Sequence, residues 1–520
     1  MRIGIDVGGT NTDAVLMDGT DVLAEVKTLT TPDVTGGIVA ALSGLARAGE
    51  FAPARIAAVM IGTTHFTNAL VEARRLTPTA ALRLALPATE GLPPMADWPD
   101  RLRQAIGGHA YLCHGGHEFD GREISPLDPG EIRRAAADMA AHGVRSVAIS
   151  SVFSPVNAEF EQRAADIVGS VLPAAHVSLS HEIGRVGLLE RENATIVNAC
   201  LRDLAGQIVD AFGSALATAG ITAPLYLSQN DGTLMDVGQA RRYPVATFAS
   251  GPTNSMRGAA FLSGLADCAV LDIGGTTTDV GILSHGFPRE AATEVDIGGV
   301  RSNFRMPDVL SVGIGGGSLV RAGPEISVGP DSVGYELASK ALVFGGDTLT
   351  ATDLAVAAGL AGVGDARLAG HLDPRLVSDG LDVIAAAVAG VVDRMRTSPE
   401  PLPVVAVGGG SILIPDKLPG FGEVNRPAHY SVANAIGAAI AQVGGEVDRI
   451  FALGAAAGEA GRDQVLAAAR DEATGKAVAA GARAGSVRIV EVDEVPLAYL
   501  PGNAVRVRVK AVGDLQLPAG

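Results

Sequence analysis

Two nine-residue stretches carry the same chemistry: "IDVGGTNTD" at 5–13 and "LDIGGTTTD" at 271–279. A Gly-Gly-Thr turn between strands exposes backbone N–H groups with no Cβ in the way, and the Thr hydroxyl adds a donor. Such a concave set of donors suits phosphate oxygens. Gly8, Gly9 and Thr10 form one cradle, flanked by Asn11 and Thr12. Gly274, Gly275 and Thr276 form the other, flanked by Thr277 and Thr278. Asp6 and Asp272 each stand two residues before the first glycine, at the end of the incoming strand. There a carboxylate holds Mg²⁺, directly or through water, against the phosphates. Two copies facing across a cleft would grip a nucleoside triphosphate from both sides. A duplicated turn without any ligand is the plainer reading, and the matched aspartates favour the clamp. Asp13 and Asp279 follow the turns, where bracing the hairpin and a catalytic or metal role stand as equal readings.

Further polar loops could face the same cleft. Thr63, Thr64, Thr67 and Asn68 lie just beyond a strand-like run, and Gln229 and Asn230 stand in a similar place after "LYL". Both groups are candidate substrate contacts. "VGIGGGS" at 312–318 reads either as a second glycine platform or as a tight strand-to-helix turn. His109, Cys113, His114 and His117 have no spacing that suits structural zinc. No Ser-His-Asp or Cys-His arrangement is argued from spacing.

The elements that must position these residues alternate along the chain. "RIGIDV" and "TDAVLMDG" predict a hairpin, repeated by "CAVLDIGG" and "TTDVGILSHG". Residues 35–49 read as a helix and 56–64 as a strand entering a loop. A helix is expected after Asp128, which is placed as N-cap before Pro129, and Gly143 stops it. Residues 190–220 predict one long helix, 380–397 another, and 431–451 a third with small residues on one face. The last seventy residues hold a helical tract and two strand-like runs. The pattern is α/β throughout. It divides into an N-terminal lobe at 1–190, a second lobe at 191–450 and a small α/β extension at 451–520.

With 520 residues, 47% of them hydrophobic and 19% charged, the chain is a well-buried protein of several domains. A net charge of −17 argues against nucleic acid and against anionic membranes as partners. Three scattered cysteines read as reduced thiols. No secretory signal and no bilayer-length apolar run is read, so a cytoplasmic location is expected.

The twin loops resemble the phosphate loops of the actin, sugar kinase and Hsp70 ATPase fold. "VAVGGGS" at 405–411 resembles its adenosine loop, and "VANAIGAAIA" its small-residue connecting helix. The resemblance implies an α/β, two-lobed actin-like (ribonuclease H-like) ATPase fold with duplicated phosphate-binding hairpins. It implies ATP and Mg²⁺ as cofactors and Gly408, Gly409 and Gly410 bordering adenosine. Further stretches are similar to the hydantoinase A / 5-oxoprolinase family, in its order. They are "IGTTHFTNALVEAR", "FDGREISPLD", "ERENATIVNACL", "SQNDGTLM", "SGP" and "SVGIGGGSLV". The further C-terminal region of the long type is not found, so the chain resembles the short branch. The family resemblance implies an ATP-dependent hydrolase subunit that phosphorylates the carbonyl oxygen of a cyclic amide to drive ring opening. It also implies a second hydrolase subunit as partner and an oligomeric assembly. Other readings stay open: a small-molecule kinase, a ketone carboxylase subunit, or a nucleotide-driven activator or chaperone-like ATPase.

Overall fold

The computed structural model describes residues 1–9, 11–30, 34–49, 51–291, 294–323, 325–452, 458–497 and 504–517. Each predicted hairpin forms in the expected register. Arg2–Val7 pairs antiparallel with Asn11–Asp18, placing Asp6 opposite Asp13. Cys268–Ile273 pairs antiparallel with Thr278–Ser284, placing Asp272 opposite Asp279. The first strand of each hairpin also pairs in parallel with a later strand, Ala58–Thr63 in one case and Val404–Val407 in the other. The same local order therefore occurs in two sheets. Apolar residues with period two explain it: Ile3, Ile5, Leu271 and Ile273 are buried under flanking helices. The result is the expected two-lobed α/β actin-like architecture.

The first sheet has nine strands and the second seven, counted among the described residues. A separate four-stranded parallel sheet spans Thr79–Leu86, His109–His114, Ser146–Ser151 and His176–Leu179. Residues 451–520, read from sequence as an extension, add Arg488–Pro496 and Ala504–Gly513 to the nine-stranded sheet.

Two expected helices take other forms. The stretch 190–220 is two helices, Leu188–Cys200 and Arg202–Thr218, joined at Leu201. Its "ERENATIVNAC" face is buried, and the Glu192 carboxylate receives Arg83 through two bonds of 2.7 and 2.6 Å. Those motif residues tie the four-stranded sheet to the helix. The stretch 431–451 is a short helix, Ala433–Ala439, followed by the long strand Gln442–Ala452. Val443 and Val447 bury against the helix Gly458–Ala479, and tertiary pairing with Ala504–Gly513 overrides the small-residue helical pattern.

Two short-contact helices join the lobes. Helix Ser250–Ser263 packs Met256 and Ala259 on the second sheet. Helix Ala433–Ala439 packs Ala435 and Ile436 on the first. They touch each other through glycine: a Cβ at Gly258 would overlap the Ala433 carbonyl, and one at Gly437 the Asn254 carbonyl. Backbone meets backbone at this crossing.

Candidate functional site

The two aspartates that precede the glycine turns lie within electrostatic reach of each other. Asp6 is buried, and Asn254 Nδ2 donates to its Oδ1 at 3.3 Å while Asn434 Nδ2 donates to its Oδ2 at 3.1 Å. Asp272 accepts a hydrogen bond from Ser255 and lies near enough to Asp6 for their charges to repel. Asn254 and Ser255 are neighbours on the helix Ser250–Ser263, so one turn of one helix holds an aspartate from each lobe. Burial, then the Asp13 charge, pushes the Asp6 carboxyl up to about 6. Burial, with Asp279 and Asp6 adding to it, pushes Asp272 up to about 7. Two carboxyls driven toward their neutral form, despite the charge of Lys27 nearby, mark a site where further positive charge would be favourable.

The paired aspartates after the turns differ. Asp13 is gripped by Lys27 Nζ at 2.6 Å and Asn434 Nδ2 at 2.8 Å, so Asn434 bridges Asp6 and Asp13. Among the described residues Asp279 takes only the Ser311 hydroxyl, and burial raises its carboxyl.

The turns themselves match. Gly8 N donates to Asn11 O at 3.0 Å, and Gly274 N to Thr277 O at 2.9 Å. Gly9 and Gly275 face open space, as does Gly409. Thr276 and Thr277 are exposed, whereas Thr12 and Thr278 are fully buried, with their hydroxyls on Thr30 and the Ile314 carbonyl. Thr10 lies outside the described residues. Gly408, at φ 84°, and Gly410 pack directly on the second hairpin. A Cβ at Gly408 would sit 2.5 Å from Asp272 Oδ1, and one at Gly410 2.7 Å from Gly274 O.

The glycine run at 313–317 is followed by the strand Ser318–Arg321 and not by a helix. Gly316 N donates to Gly274 O at 3.0 Å and Gly317 N to Gly275 O at 2.7 Å. It is a bracket behind the second loop, and a Cβ at Gly315 would lie 2.6 Å from Thr276 N.

Thr63 and Thr64 stand beside Asp6. Ser250 Oγ receives Thr63 N at 3.1 Å, Thr64 N donates to Val7 O at 3.3 Å, and a Cβ at Gly251 would lie between Asp6 Oδ2 and Thr64 Cγ2. Thr67 Oγ1 donates to Phe248 O, and Asn68, which is exposed, reaches Thr64 Oγ1. Gln229 and Asn230 lie behind the helix Ser250–Ser263. The Asn230 amide is spent on Val245 O, Arg305 O and Ala249 N, and Gln229 Nε2 on Thr233 Oγ1 and Leu234 O.

Sequence reasoning missed Lys27, Asn254, Ser255 and Asn434. The available signal was polar residues inside the small-residue runs "SGPTNSMRGAA" and "SVANAIGAAIA". It also missed His65, whose Nδ1 lies 2.6 Å from Thr63 Oγ1 and whose ring burial pushes down to about 4, aided by Arg75.

A magnesium ion uses one or two carboxylates with phosphate and water oxygens, so it needs no larger protein cluster. No group of three or more His, Cys, Asp or Glu suited to a metal exists among the described residues. The pair Asp6 and Asp272 fits that ion in charge and in number. His114 is paired with Glu131, and burial raises the Cys113 thiol to about 12, which leaves the histidine-bearing loop structural.

The fold places the chain in the actin-like class. Within it the chain belongs to the hydantoinase/oxoprolinase family: the pattern of the hydantoinase/oxoprolinase N-terminal region matches residues 2–172, and that of hydantoinase/oxoprolinase matches 191–370. The caprolactamase subunit alpha of Pseudomonas jessenii is 29% identical over 69% of this chain and 54% of that one. The acetophenone carboxylase gamma subunit of Aromatoleum aromaticum is 28% identical over 69% and 53%. This chain thus spans about half the length of those relatives. The crystal structure of ATP-dependent caprolactamase from Pseudomonas jessenii superposes with a TM-score of 0.80 at 21% identity, covering 99% of this chain and 88% of that one. Nucleotide-free acetone carboxylase gives 0.68 at 20%, covering 100% and 88%.

Proposed function

We propose that this chain is the ATP-consuming subunit of a cyclic amide hydrolase and acts in the cytoplasm with a second subunit in a hetero-oligomer. The observation that supports the reading is that Asp6 and Asp272, each two residues before a Gly-Gly turn, lie within electrostatic reach of one another and each meet one of two adjacent residues of one helix. Asp6 and Asp272 would hold Mg²⁺, which supplies charge neutralisation for the phosphates. Gly8, Gly9, Thr10, Gly274, Gly275 and Thr276 would cradle those phosphates, and the open face of Gly409 would border adenosine. Thr63 and Thr64, beside Asp6, are placed to orient the phosphoryl acceptor, with Thr67 and Asn68 behind them.

An amide resists water because resonance makes its carbon a poor electrophile. In the proposed step the amide oxygen attacks the γ-phosphorus, the bond to the β–γ bridging oxygen breaks, and ADP leaves. Water then adds to the activated carbon and the ring C–N bond opens to leave an acyl phosphate on the freed amine's chain; a second water attacks that carbon and displaces phosphate, which carries the original carbonyl oxygen. The side chains here position and neutralise charge; such transfers need little else from a protein. The names of two relatives support a second reading, ATP-dependent carboxylation of a ketone.

The test is isotopic. With Mg-ATP, the co-purified partner and lactams labelled with ¹⁸O at the carbonyl, the label should appear in inorganic phosphate alongside a ring-opened acid. A stable phosphoester would indicate a kinase, and bicarbonate-dependent ADP release a carboxylase. ADP release indifferent to every amide and ketone would leave only a nucleotide-driven binding module.

A further inference from the structure

The two hairpins are copies in register, so their neighbouring strands can be compared residue by residue. In the first sheet a third strand, Asp21–Leu29, pairs with Asn11–Asp18, and Asp6, Asp13 and Lys27 stand opposite one another across the three strands. In the second sheet Val309–Val312 pairs with Thr278–Ser284, and Asp272, Asp279 and Ser311 form the same row. Residues directly opposite in antiparallel strands share a face, so each row presents its side chains on one side of its sheet. The rows match at two positions and differ at the third. A serine suffices for the second hairpin, which keeps the same register without a cation. The lysine of the first row is therefore not required to build its hairpin.

Lys27 is held by charge more than by hydrogen bonding. Its Nζ lies 2.6 Å from Asp13 Oδ1, yet that oxygen is buried and has no hydrogen-bond partner. The N–H groups of the ammonium are thus not aligned on it. The other oxygen, Asp13 Oδ2, takes Asn434 Nδ2 at 2.8 Å, so Asp13 has a second anchor besides the lysine. An ammonium has three donors, and among the described residues no second acidic group pairs with this one. Its side chain is 36% exposed, which leaves it within reach of a ligand. Asp6 on its own sheet and Asp272 on the other both feel its charge, which lowers their carboxyls against the effect of burial. The ammonium therefore lies within electrostatic reach of both hairpins.

We propose that Lys27 is a phosphate-contacting residue that selects the triphosphate: Asp13 holds its ammonium until the terminal phosphoryl group of a bound nucleotide takes it over. The inference rests on the function proposed above, in which adenosine borders Gly409 beside the second hairpin and the far end of the triphosphate falls to the first. A terminal phosphate carries about two negative charges and three acceptor oxygens, against one charge and one misaligned oxygen on Asp13. It is the stronger partner for the three donors. A diphosphate ends short of that position and leaves the ammonium on Asp13. The lysine thus reads the group that is to be transferred, and its charge offsets the negative charge on the phosphoryl oxygens during transfer.

The test uses the full chain with Mg²⁺ and two probes, ADP and the β,γ-imido analogue of ATP, with affinities read by calorimetry. The wild type should prefer the triphosphate. Lys27→Met, similar in length and uncharged, should weaken that probe about tenfold while leaving ADP unchanged. Asp13→Asn releases the ammonium and should sharpen the preference severalfold; in the Lys27→Met background the same change should have little effect. Thermal unfolding checks that each variant folds. Equal weakening of both probes by Lys27→Met, a preference untouched by it, or an Asp13→Asn effect undiminished without the lysine overturns the inference. Lactam-stimulated ADP release at the wild-type rate in Lys27→Met would sink it and leave the proposed function standing. A lysine-dependent preference in a protein that releases no ADP with any lactam would do the reverse.

Discussion

Asp272→Asn is expected to stabilise the protein without nucleotide, by an amount that grows with pH. The folded carboxyl lies at about 7 against an ordinary 3.8, and burial is the first cause. At roughly 1.36 kcal/mol per pH unit the gap corresponds to roughly 4 kcal/mol against the ionised form. Asp272 keeps part of its surface in the cleft, so water lowers the realised figure to about 2–4 kcal/mol. A carboxyl whose folded value is raised contributes its full stability below about pH 4 and loses it as pH climbs through about 7. Between pH 5 and pH 8 the wild type should therefore lose on the order of 2–3 kcal/mol relative to the Asn form. For a chain of this length that is a relative shift of about 2–3 °C in Tm. Differential scanning calorimetry of both proteins in chelator across that range reads it directly. Mg-ATP should reverse the order, raising the wild-type Tm and leaving the variant little changed. A difference independent of pH would show that Asp272 is not ionised against its surroundings, and the electrostatic account of the cleft would fail with it.

Three other outcomes follow from the packing. Gly437→Ala should cost about 1–3 kcal/mol in chemical denaturation, because the new methyl must push the Asn254 carbonyl away and separate the two joining helices; no loss would mean the crossing is looser than described. Glu192→Ala should cost about 3–5 kcal/mol, since it leaves the fully buried Arg83 guanidinium unpaired, and a change under 1 kcal/mol would contradict that burial. Gly409→Val should leave Tm nearly unchanged, because its side chain meets nothing within 4 Å, while raising the KM for ATP several-fold; unchanged kinetics would move adenosine elsewhere.

The hairpins, their aspartates and the two-lobed plan were legible in the linear text because they rest on local rules. Alternation of Ile3, Ile5 and Val7 makes a strand, Gly8 and Gly9 make its turn, and a repeat of the same letters makes the same hairpin again. The helix over 129–141 was readable for a similar reason, since the Asp128 carboxylate caps it through Gly130 N and Glu131 N. Helix 431–451 was misread because small residues are neutral between states, and the partner strand at 504–513 lies far along the chain.

By itself the sequence supplied the residue types proposed to bind phosphate and metal, since backbone freedom and side-chain charge are local properties. Only the tertiary structure decided that Asp6 and Asp272 come within electrostatic reach of each other. Their meeting depends on Gly258 and Gly437 letting two helices touch backbone to backbone, which brings Asn254, Ser255 and Asn434 to the carboxylates. The same folding placed His181 in front of Glu161. Neither arrangement has a signature in spacing, because contacts across hundreds of residues are set by how sheets and helices pack and not by what stands next to what.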